Sequence, residues 1–266
     1  MNRNNSATVL IHPTAIVDDS AKLAADCKVG AYSVIGANVE IGGDCEIMQH
    51  VVIHGPTIIG AHNRIYPFAA VGIEPQDVTY KGEPTRLEIG EHNLIREFTT
   101  INRGTVKGGG TTRIGNHVYL MAYSHVGHDC QVGDHAMLVN GATLAGHVIV
   151  EEYATVGAMS AVHQFCRVGA HAYIGGGSMA TQDVLPFSKT SAARENRAYG
   201  LNSVGLQRRG FSEARISALK HAFRTLLASK LNTSQAVERL KAEENVSEDV
   251  AMLLRFIETS ERGVIK

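Results

Sequence analysis

The sequence predicts a parallel β-helix followed by a small α-helical domain. Three observations support this fold class: an aliphatic residue recurs every six positions, small residues follow it, and both patterns stop after Pro186. At 266 residues and 44% hydrophobic content, the chain can bury a sizeable core. We expect the β-helix to occupy residues 1–188 and the helical domain residues 189–266.

The six-residue repeat begins at Ile11 and continues to Val71 as eleven aliphatic residues without a gap. It returns at residues 89–101 and, displaced by one residue, from Ile114 to Ile174. No repeat of this length can bury its aliphatic side chain alone, so the coils must stack. Residues 73–88 and 103–113 interrupt the repeat.

Each aliphatic residue defines position one of its repeat. Because side chains alternate along a strand, the residue two places earlier, position five, should also point inward. Position five holds only small or medium-sized residues, including all four cysteines: Cys27, Cys45, Cys130 and Cys166. We therefore expect buried thiols and neither a disulfide scaffold nor a nucleophile. Glycine after many of the aliphatic residues is expected to provide a corner with positive φ.

Composition excludes several classes of function. No apolar run approaches the length of a membrane span and the first residues lack a signal-peptide core, so we expect a cytoplasmic protein. From Phe187 to Lys230 there are nine Lys and Arg residues against two Glu, which predicts an acidic partner. Few aromatic residues are interleaved with them, which argues against nucleic-acid binding.

Helical spacing replaces the repeat near the C-terminus. Residues 216–227 carry apolar side chains at three- and four-residue steps behind Ser212, an expected N-cap. Two further amphipathic segments follow, around Ala236–Leu240 and Val250–Ile257. We expect these helices to cover the end of the β-helix. Their basic outer face, formed by Arg215, Lys220, Arg224 and Lys230, would suit an acidic carrier protein.

Several motifs carry a resemblance to a known family. The stretches SHVGHDCQVG, ATLAGHV, AVHQFCRVGAHAYIGGGS, GEPTRLEIG, RGTVKGGGTTRIG and GLNSVGLQRRGF resemble the UDP-N-acetylglucosamine O-acyltransferases that begin lipid A biosynthesis. The resemblance runs from about Ile11 to the C-terminus. It implies a left-handed β-helix with three repeats per coil, hence a coil period of eighteen residues.

The eighteen-residue period brings polar residues into register. His128, Gly146 and Gln164 then form one column, and three other histidines lie alongside it: His125, His147 and His163. A histidine beside a residue without a side chain, with an amide further on, suits acyl transfer. The histidine is the base for a hydroxyl, and a backbone N–H is the donor for the developing oxyanion.

The resemblance assigns roles to these residues. It implies that His128 is the general base, that Asp129 orients it and that Gly146 donates its N–H to the oxyanion. It also implies a carboxylate, Asp77, that contacts the sugar from a neighbouring subunit. The remaining positions implied for substrate binding are His125, His147, His163, Gln164, Asn202, Arg208 and Arg209, while Gly176 matches the residue that gauges acyl-chain length.

The resemblance also implies the partners and the chemistry. The donor is an acyl chain, (3-hydroxy)acyl in this family, carried on the phosphopantetheine of acyl carrier protein, and the acceptor is a UDP-sugar. The protein is expected to be a homotrimer with active sites between subunits, without a metal or further cofactor, and without stable membrane insertion. A neutral imidazole can accept the hydroxyl proton near pH 7, so no covalent enzyme intermediate is needed.

Three positions depart from the family pattern. Thr79 stands where a lysine is usual, Asn102 where a histidine is usual and Val204 where a glutamate is usual. They lie around the donor channel and the nucleotide. They leave open a 3-amino UDP-sugar acceptor, which would give an amide product.

Other functions remain open from the residues alone. A coenzyme A-dependent acetyltransferase would share the fold and the base. A γ-type carbonic anhydrase could bind zinc through His125, His128 and His147. A non-enzymatic β-helix would explain the repeat but not the column of His128, Gly146 and Gln164.

Overall fold

The computed structural model describes residues 10–191 and 197–265. Two compact units divide the chain, Met1–Asp129 and Cys130–Lys266. Both contain parallel strands whose side chains follow the six-residue repeat. The fold class is the predicted one, a left-handed parallel β-helix with a small α-helical C-terminal part.

The first unit consists of very short strands joined by corners. In chain order they are β1 (Ile16–Val17), β2 (Lys22–Leu23), β3 (Lys28–Val29), β4 (Val34–Ile35), β5 (Val39–Ile41), β6 (Glu46–Ile47), β7 (Val52–Ile53), β8 (Thr57–Ile59), β9 (Arg64–Ile65), β10 (Ala70–Ile73), β11 (Arg86–Ile89), β12 (Leu94–Ile95), β13 (Thr100–Asn102), β14 (Thr111–Ile114), β15 (Tyr119–Leu120) and β16 (His125–Val126).

Every third strand of this unit pairs in parallel, which produces three sheets. Their orders are β1-β4-β7-β10-β13-β16, β2-β5-β8-β11-β14 and β3-β6-β9-β12-β15. The pairing joins residues eighteen apart in the regular coils, such as Val34 with Val52. The coil period of eighteen residues is confirmed within this unit.

The core contains the two inward positions that alternation predicts. From Val29 onward, the aliphatic residues at position one are almost fully buried, and so are the small residues at position five, including all four cysteines. Burial raises the pKa of the Cys27 thiol to about 12. Such a thiol stays protonated near neutral pH, so its predicted role as an inert core residue fits its environment.

The predicted reason for glycine at position two, a corner with positive φ, was wrong. Positive φ occurs at position four, and in the described residues it is adopted there by eighteen non-glycine residues, many of them His, Phe or Tyr. Of the described glycines at position two, only Gly72 has a positive φ, 74°; at Gly30, by contrast, an added Cβ would lie 2.6 Å from the backbone N of Gln49. Glycine is needed there because the backbone of the next coil approaches too closely for a side chain.

The residues at position four stack their rings from coil to coil. In the first unit Tyr32, His50, Phe68, Phe98 and Tyr123 form one column with ring centroids 4.8 to 5.2 Å apart. Offset stacking at this spacing is favourable for aromatic rings. Histidines at these corners therefore stack on neighbouring rings, and His171 in the second unit is even buried, between Tyr153 and Phe187.

Loops form the central part of both interruptions of the repeat. Residues 74–85 join β10 to β11, and residues 103–110 join β13 to β14. The second loop contains a single 3-10 turn, Val106–Gly108, with Thr105 as its N-cap. Both loops belong to the first unit and carry residues of the candidate active site.

The second unit continues with short strands and ends in helices. Its elements are β17 (Gln131–Val132), β18 (Met137–Leu138), β19 (Thr143–Leu144), β20 (Ile149–Val150), β21 (Thr155–Val156), β22 (Ala161–Val162), β23 (Arg167–Val168), β24 (Tyr173–Ile174), β25 (Met179–Ala180), β26 (Ser188–Ser191), β27 (Arg197–Leu201), α1 (Ser203–Arg208), α2 (Glu213–Ala228), α3 (Thr233–Lys241) and α4 (Glu248–Glu258).

Strand pairing in the second unit is parallel except for the last pair, which is antiparallel. The parallel orders are β19-β22-β25, β17-β20-β23 and β18-β21-β24-β26, and β27 then pairs antiparallel with β26. Pairing thus continues past residue 188. The boundary between residues 188 and 189 stays a prediction.

The structure contains the helices that the C-terminal spacing of apolar residues predicts. Ser212 caps α2 by accepting the N–H of Arg215 with its side chain, and the two later segments are α3 and α4. The apolar faces of these helices form one buried cluster that includes Leu185 and Phe187, which precede β26. The short helix α1 was not predicted. No helix of the described ranges is both long and apolar enough to cross a membrane.

Candidate active site

His128 and Asp129 form a hydrogen-bonded pair at one corner of the first unit. The Nδ1 atom of His128 lies 2.8 Å from Oδ2 of Asp129. The Asp129 side chain is 1% exposed and that of His128 is 17% exposed. An ionised carboxylate only accepts hydrogen bonds, so Nδ1 carries the proton and Nε2 keeps its lone pair. The predicted orienting role of Asp129 matches this geometry.

Asp129 is itself held by the loop between β13 and β14. Thr105 donates to it twice, from its backbone N–H to Oδ1 at 2.8 Å and from its hydroxyl to Oδ2 at 2.7 Å. A Cβ added to Gly108 would lie 2.0 Å from the Asp129 carboxyl carbon. Glycine at position 108 therefore leaves the space that the carboxylate occupies.

His125 begins β16, three residues before His128, and is partly buried. Its Nδ1 atom is 2.7 Å from the Thr100 hydroxyl. Burial, and secondarily the electrostatic interaction with His128, lowers the pKa of His125 below the usual value for imidazole. The ring is therefore neutral at pH 7 and can exchange hydrogen bonds with a polar substrate.

Asp77 lies on the loop that joins β10 to β11. Its Oδ1 atom accepts hydrogen bonds from the backbone N–H of Thr79 at 2.8 Å and from the Thr79 hydroxyl at 2.9 Å. These bonds, and then the electrostatic interactions with Lys107 and His128, lower the pKa of Asp77. The carboxylate is thus ionised at neutral pH.

Two buried residues of β13 and the following loop secure the loop that carries Asp77. Asn102 donates from Nδ2 to the Glu74 carbonyl at 2.6 Å. Arg103 donates to the Gly72 carbonyl at 2.9 Å and to the Tyr80 hydroxyl at 3.3 Å. The amide of Asn102 is therefore engaged in holding the loop.

Four predicted residues lie on the coils of the second unit. His147 stacks on Phe165 with ring centroids 4.4 Å apart, and Gly146 accepts the N–H of Phe165 through its carbonyl. His163 and Gln164 are exposed. Nδ1 of His163 lies 3.1 Å from the Arg262 guanidinium and 3.2 Å from the Gln164 carbonyl oxygen.

Three of the residues predicted to bind the substrate, Asn202, Arg208 and Arg209, line one cavity of the second unit. This cavity has a volume of about 560 Å³ and is lined by Asn202, Arg208, Arg209, Lys189, Val204 and six other residues. Asn202 also caps α1 and donates to the His171 carbonyl at 3.2 Å. Three cations and no carboxylate line the cavity, which favours an anionic ligand.

Gly176 is exposed on the outside of its coil. A Cβ at this position would lie 3.1 Å from the Ala158 carbonyl oxygen, its nearest neighbour. A side chain there would extend outward with only a small adjustment. The position can therefore narrow a surface channel without disturbing the core.

The first unit brings together Asp77, His125, His128 and Asp129, and the second unit contains the other predicted site residues. Sequence reasoning gave no role to the residues that hold them, which are Thr105, Lys107, Gly108 and Arg262. The first three lie in the motif RGTVKGGG, whose glycines were the only signal of a tight structure. Arg262 follows the last helix and carried no signal.

These coils and the oriented histidine define a hexapeptide-repeat transferase. The model of the bacterial transferase hexapeptide (six repeats) matches residues 111–146. The model described as Udp N-acetylglucosamine O-acyltransferase, domain 2, matches residues 183–265.

Curated relatives match nearly the whole chain. The acyl-[acyl-carrier-protein]--UDP-N-acetylglucosamine O-acyltransferase of Stenotrophomonas maltophilia (strain R551-3) is 48% identical over 96% of this chain and 97% of its own. The protein of the same name from Herminiimonas arsenicoxydans is 49% identical over 97% and 99%. The crystal structure of the UDP-N-acetylglucosamine acyltransferase of Francisella novicida superposes with a TM-score of 0.93, at 39% identity over 96% of this chain and 93% of that one. The chain belongs to the UDP-N-acetylglucosamine O-acyltransferase family.

Proposed function

We propose that this enzyme moves a (3-hydroxy)acyl chain from acyl carrier protein to the 3-hydroxyl of UDP-N-acetylglucosamine, at the start of lipid A biosynthesis. The observation that carries the proposal is the His128–Asp129 pair, because the buried carboxylate fixes the tautomer that a general base needs. Relatives that carry this activity in their names match nearly the full chain.

The proposed reaction is a direct transfer. Nε2 of His128 takes the proton of the 3-hydroxyl while the oxygen attacks the thioester carbon, and the Gly146 N–H donates to the resulting oxyanion. Collapse breaks the C–S bond, and the imidazolium returns its proton to the leaving thiolate. The products are the sugar ester and the free phosphopantetheine thiol. The proposal needs no metal or further cofactor.

The nucleotide is proposed to bind in the cavity lined by Asn202, Arg208 and Arg209. A guanidinium can bind a phosphate group through two directed hydrogen bonds, and Lys189 adds a third positive charge. Asp77, His125, His147, His163 and Gln164 are assigned to the remainder of the substrate. Gly176 is assigned to the acyl channel, which its missing side chain leaves long.

The acyl carrier protein is proposed to dock on α2. Lys220 and Arg224 border an apolar groove of about 270 Å³ that Phe223 and Leu227 help to line. Arg215 was expected on the same basic face, but its guanidinium binds Asp249 at 2.7 Å through two nitrogens. The docking face is therefore carried by Lys220, Arg224 and the exposed Lys230, since the charge of Arg215 is neutralised.

The assembly is proposed to be a cytoplasmic homotrimer in which Asp77 acts on the substrate of a neighbouring subunit. The family membership and the exposed loop of Asp77 support this proposal. Closed cyclic symmetry gives every subunit the same neighbour, so three equivalent sites result.

Incubation of the purified enzyme with donors and acceptors, read by mass spectrometry, tests the proposed reaction. The acceptors are UDP-N-acetylglucosamine and its 3-amino analogue, and the donors are a ladder of 3-hydroxyacyl carrier proteins and acetyl-coenzyme A. We expect an ester of UDP-N-acetylglucosamine from a carrier donor. Product formed only from the 3-amino sugar, or only from coenzyme A, would contradict the proposal.

Two variants extend this assay. Gly176→Met should shift the preferred donor to shorter acyl chains, and an unchanged chain-length profile would contradict the assignment of Gly176 to the channel.

Lys220→Glu should raise the KM for the acyl carrier protein, whereas Arg239→Glu on α3 serves as the matched surface control. Equal KM values for the two charge reversals would exclude docking on α2.

A further inference from the structure

One segment of the first unit braces the loop that carries Asp77 at three points. Asn102 holds the loop at the Glu74 carbonyl, and Arg103 holds it at the Tyr80 hydroxyl. The third contact is the outermost one, in which the Lys107 ammonium donates to the Thr79 hydroxyl at 2.9 Å.

The contact of Lys107 continues directly to Asp77. Lysine only donates hydrogen bonds, so the Thr79 oxygen accepts from Nζ and its own hydrogen points to Oδ1 of Asp77. The Thr79 backbone N–H donates to the same Oδ1 atom. Because the contacts that the structure gives for this carboxylate use Oδ1, Oδ2 is directed away from Thr79 and can accept from a ligand.

The same short turn also supports the base. Lys107 lies in the 3-10 turn Val106–Gly108, whose N-cap Thr105 donates two hydrogen bonds to Asp129. Gly108, the last residue of the turn, packs against the Asp129 carboxylate. The turn therefore fixes the Asp129 carboxylate directly and reaches the Asp77 carboxylate through the Lys107 side chain.

We propose that Lys107 is a positioning residue that acts through Thr79 on Asp77 and thereby sets the affinity for the UDP-sugar. The inference rests on the proposed function, in which Asp77 binds the acceptor sugar. The ammonium holds the Thr79 hydroxyl in the rotamer that donates to Oδ1, which orients the carboxylate before the sugar arrives. A preorganised acceptor loses less conformational freedom on binding.

Removal of the ammonium should therefore raise the KM for the sugar nucleotide. For Lys107→Met we expect an increase of roughly tenfold, the size of one hydrogen bond to a charged group. The kcat should change less than about twofold, since Thr105 and Gly108 still hold Asp129. Lys107→Arg retains a cationic donor and should recover most of the lost affinity. If Lys107 only stabilised the fold, its replacement would not raise the KM while leaving kcat nearly unchanged.

The test is steady-state kinetics of the full-length enzyme with UDP-N-acetylglucosamine varied at saturating acyl carrier protein donor. It compares Lys107→Met, Asp77→Asn and their double variant, with Val106→Ala as the control on the same turn. Because Lys107 acts through Asp77, the double variant should have the KM of Asp77→Asn alone. Thr79→Val should reproduce the KM of Lys107→Met.

Two outcomes overturn the inference and separate it from the proposed function. If Asp77→Asn raises the KM but Lys107→Met does not, or if their effects on KM multiply, Lys107 does not act through Asp77 and the proposed function stands. If Asp77→Asn leaves the KM unchanged, the assignment of Asp77 to the sugar fails, and the inference fails with it. Thermal unfolding midpoints confirm that each variant is folded.

Discussion

Asp129 adopts a left-handed backbone conformation, φ 62°, at a position where many coils carry an aromatic or histidine ring. Aspartate tolerates this conformation better than most residues do. The corner directs its carboxylate toward Thr105 and the ring of His128. The left-handed corner and the hydrogen bond from Thr105 therefore place the Asp129 carboxylate, and this carboxylate orients the His128 ring.

The first prediction at the residue scale concerns the space beside this carboxylate. In Gly108→Ala the added Cβ would occupy the position of the Asp129 carboxyl group, so the carboxylate must move and His128 loses its orientation. We expect kcat to fall by about 100-fold. The measurement is the initial rate at saturating substrates, with Val106→Ala on the same turn as control. A Gly108→Ala enzyme with normal kcat would show that the position of Asp129 does not matter.

The second prediction concerns pH. Burial, and then the charge of Arg209, lower the pKa of His171 to about 4 from 6.5, while Asp249 opposes and Arg215 adds to the shift. The unfolded chain then binds the extra proton between pH 6.5 and 4, so stability is full above 6.5 and falls toward pH 4. At pH 5 the loss from this group is at most about 2 kcal/mol.

His171→Phe should remove this loss, because phenylalanine keeps the stack between Tyr153 and Phe187 and does not titrate. The measurement is the thermal unfolding midpoint of the wild type and of the variant at pH 7 and at pH 5. The midpoint of the wild type should fall more between the two pH values than that of the variant. Equal decreases would mean that His171 is not buried as a neutral ring.

At the scale of the elements, the six-residue repeat was sufficient to predict the short parallel strands, whereas β26 and β27 lie beyond the repeat and were not predicted. Each inward position found by alternation is buried from Val29 onward, since a stacked coil offers no other place for an aliphatic side chain. The contacts of Thr105 and Lys107 could not be predicted, because they come from a loop where the repeat is interrupted. They join residues 24 and 28 positions apart, and neither separation equals the eighteen-residue coil period that relates stacked residues of neighbouring coils.

The glycine positions give a prediction for the coils. A Cβ on Gly30 would meet the backbone N of Gln49 at 2.6 Å, whereas a Cβ on Gly36 would meet the nearest backbone atom, the Ile53 oxygen, at 3.3 Å. Gly30→Ala should thus destabilise the protein by about 2 kcal/mol, and Gly36→Ala by less. Chemical denaturation of both variants measures the difference. A larger cost at Gly36 would contradict the close approach of the coils at Gly30.

At the scale of the whole molecule, the proposed trimer predicts complementation between inactive subunits. Co-expression of Asp77→Asn and His128→Ala chains yields mixed trimers. If Asp77 acts on the neighbouring subunit, about a quarter of the sites in an equal random mixture combine an intact Asp77 with an intact His128. The measurement is the specific activity of purified mixed trimers. Activity no higher than that of the parent variants would place Asp77 and His128 of one site in the same chain.

The most direct test of the central claim is the turnover of His128→Ala with UDP-N-acetylglucosamine and a 3-hydroxyacyl carrier protein. A general base contributes about 100-fold or more, so we expect transfer to fall by at least that factor while the thermal unfolding midpoint stays close to that of the wild type. Such a result would assign the proton transfer to this imidazole. Near-wild-type turnover by the folded variant would contradict the account.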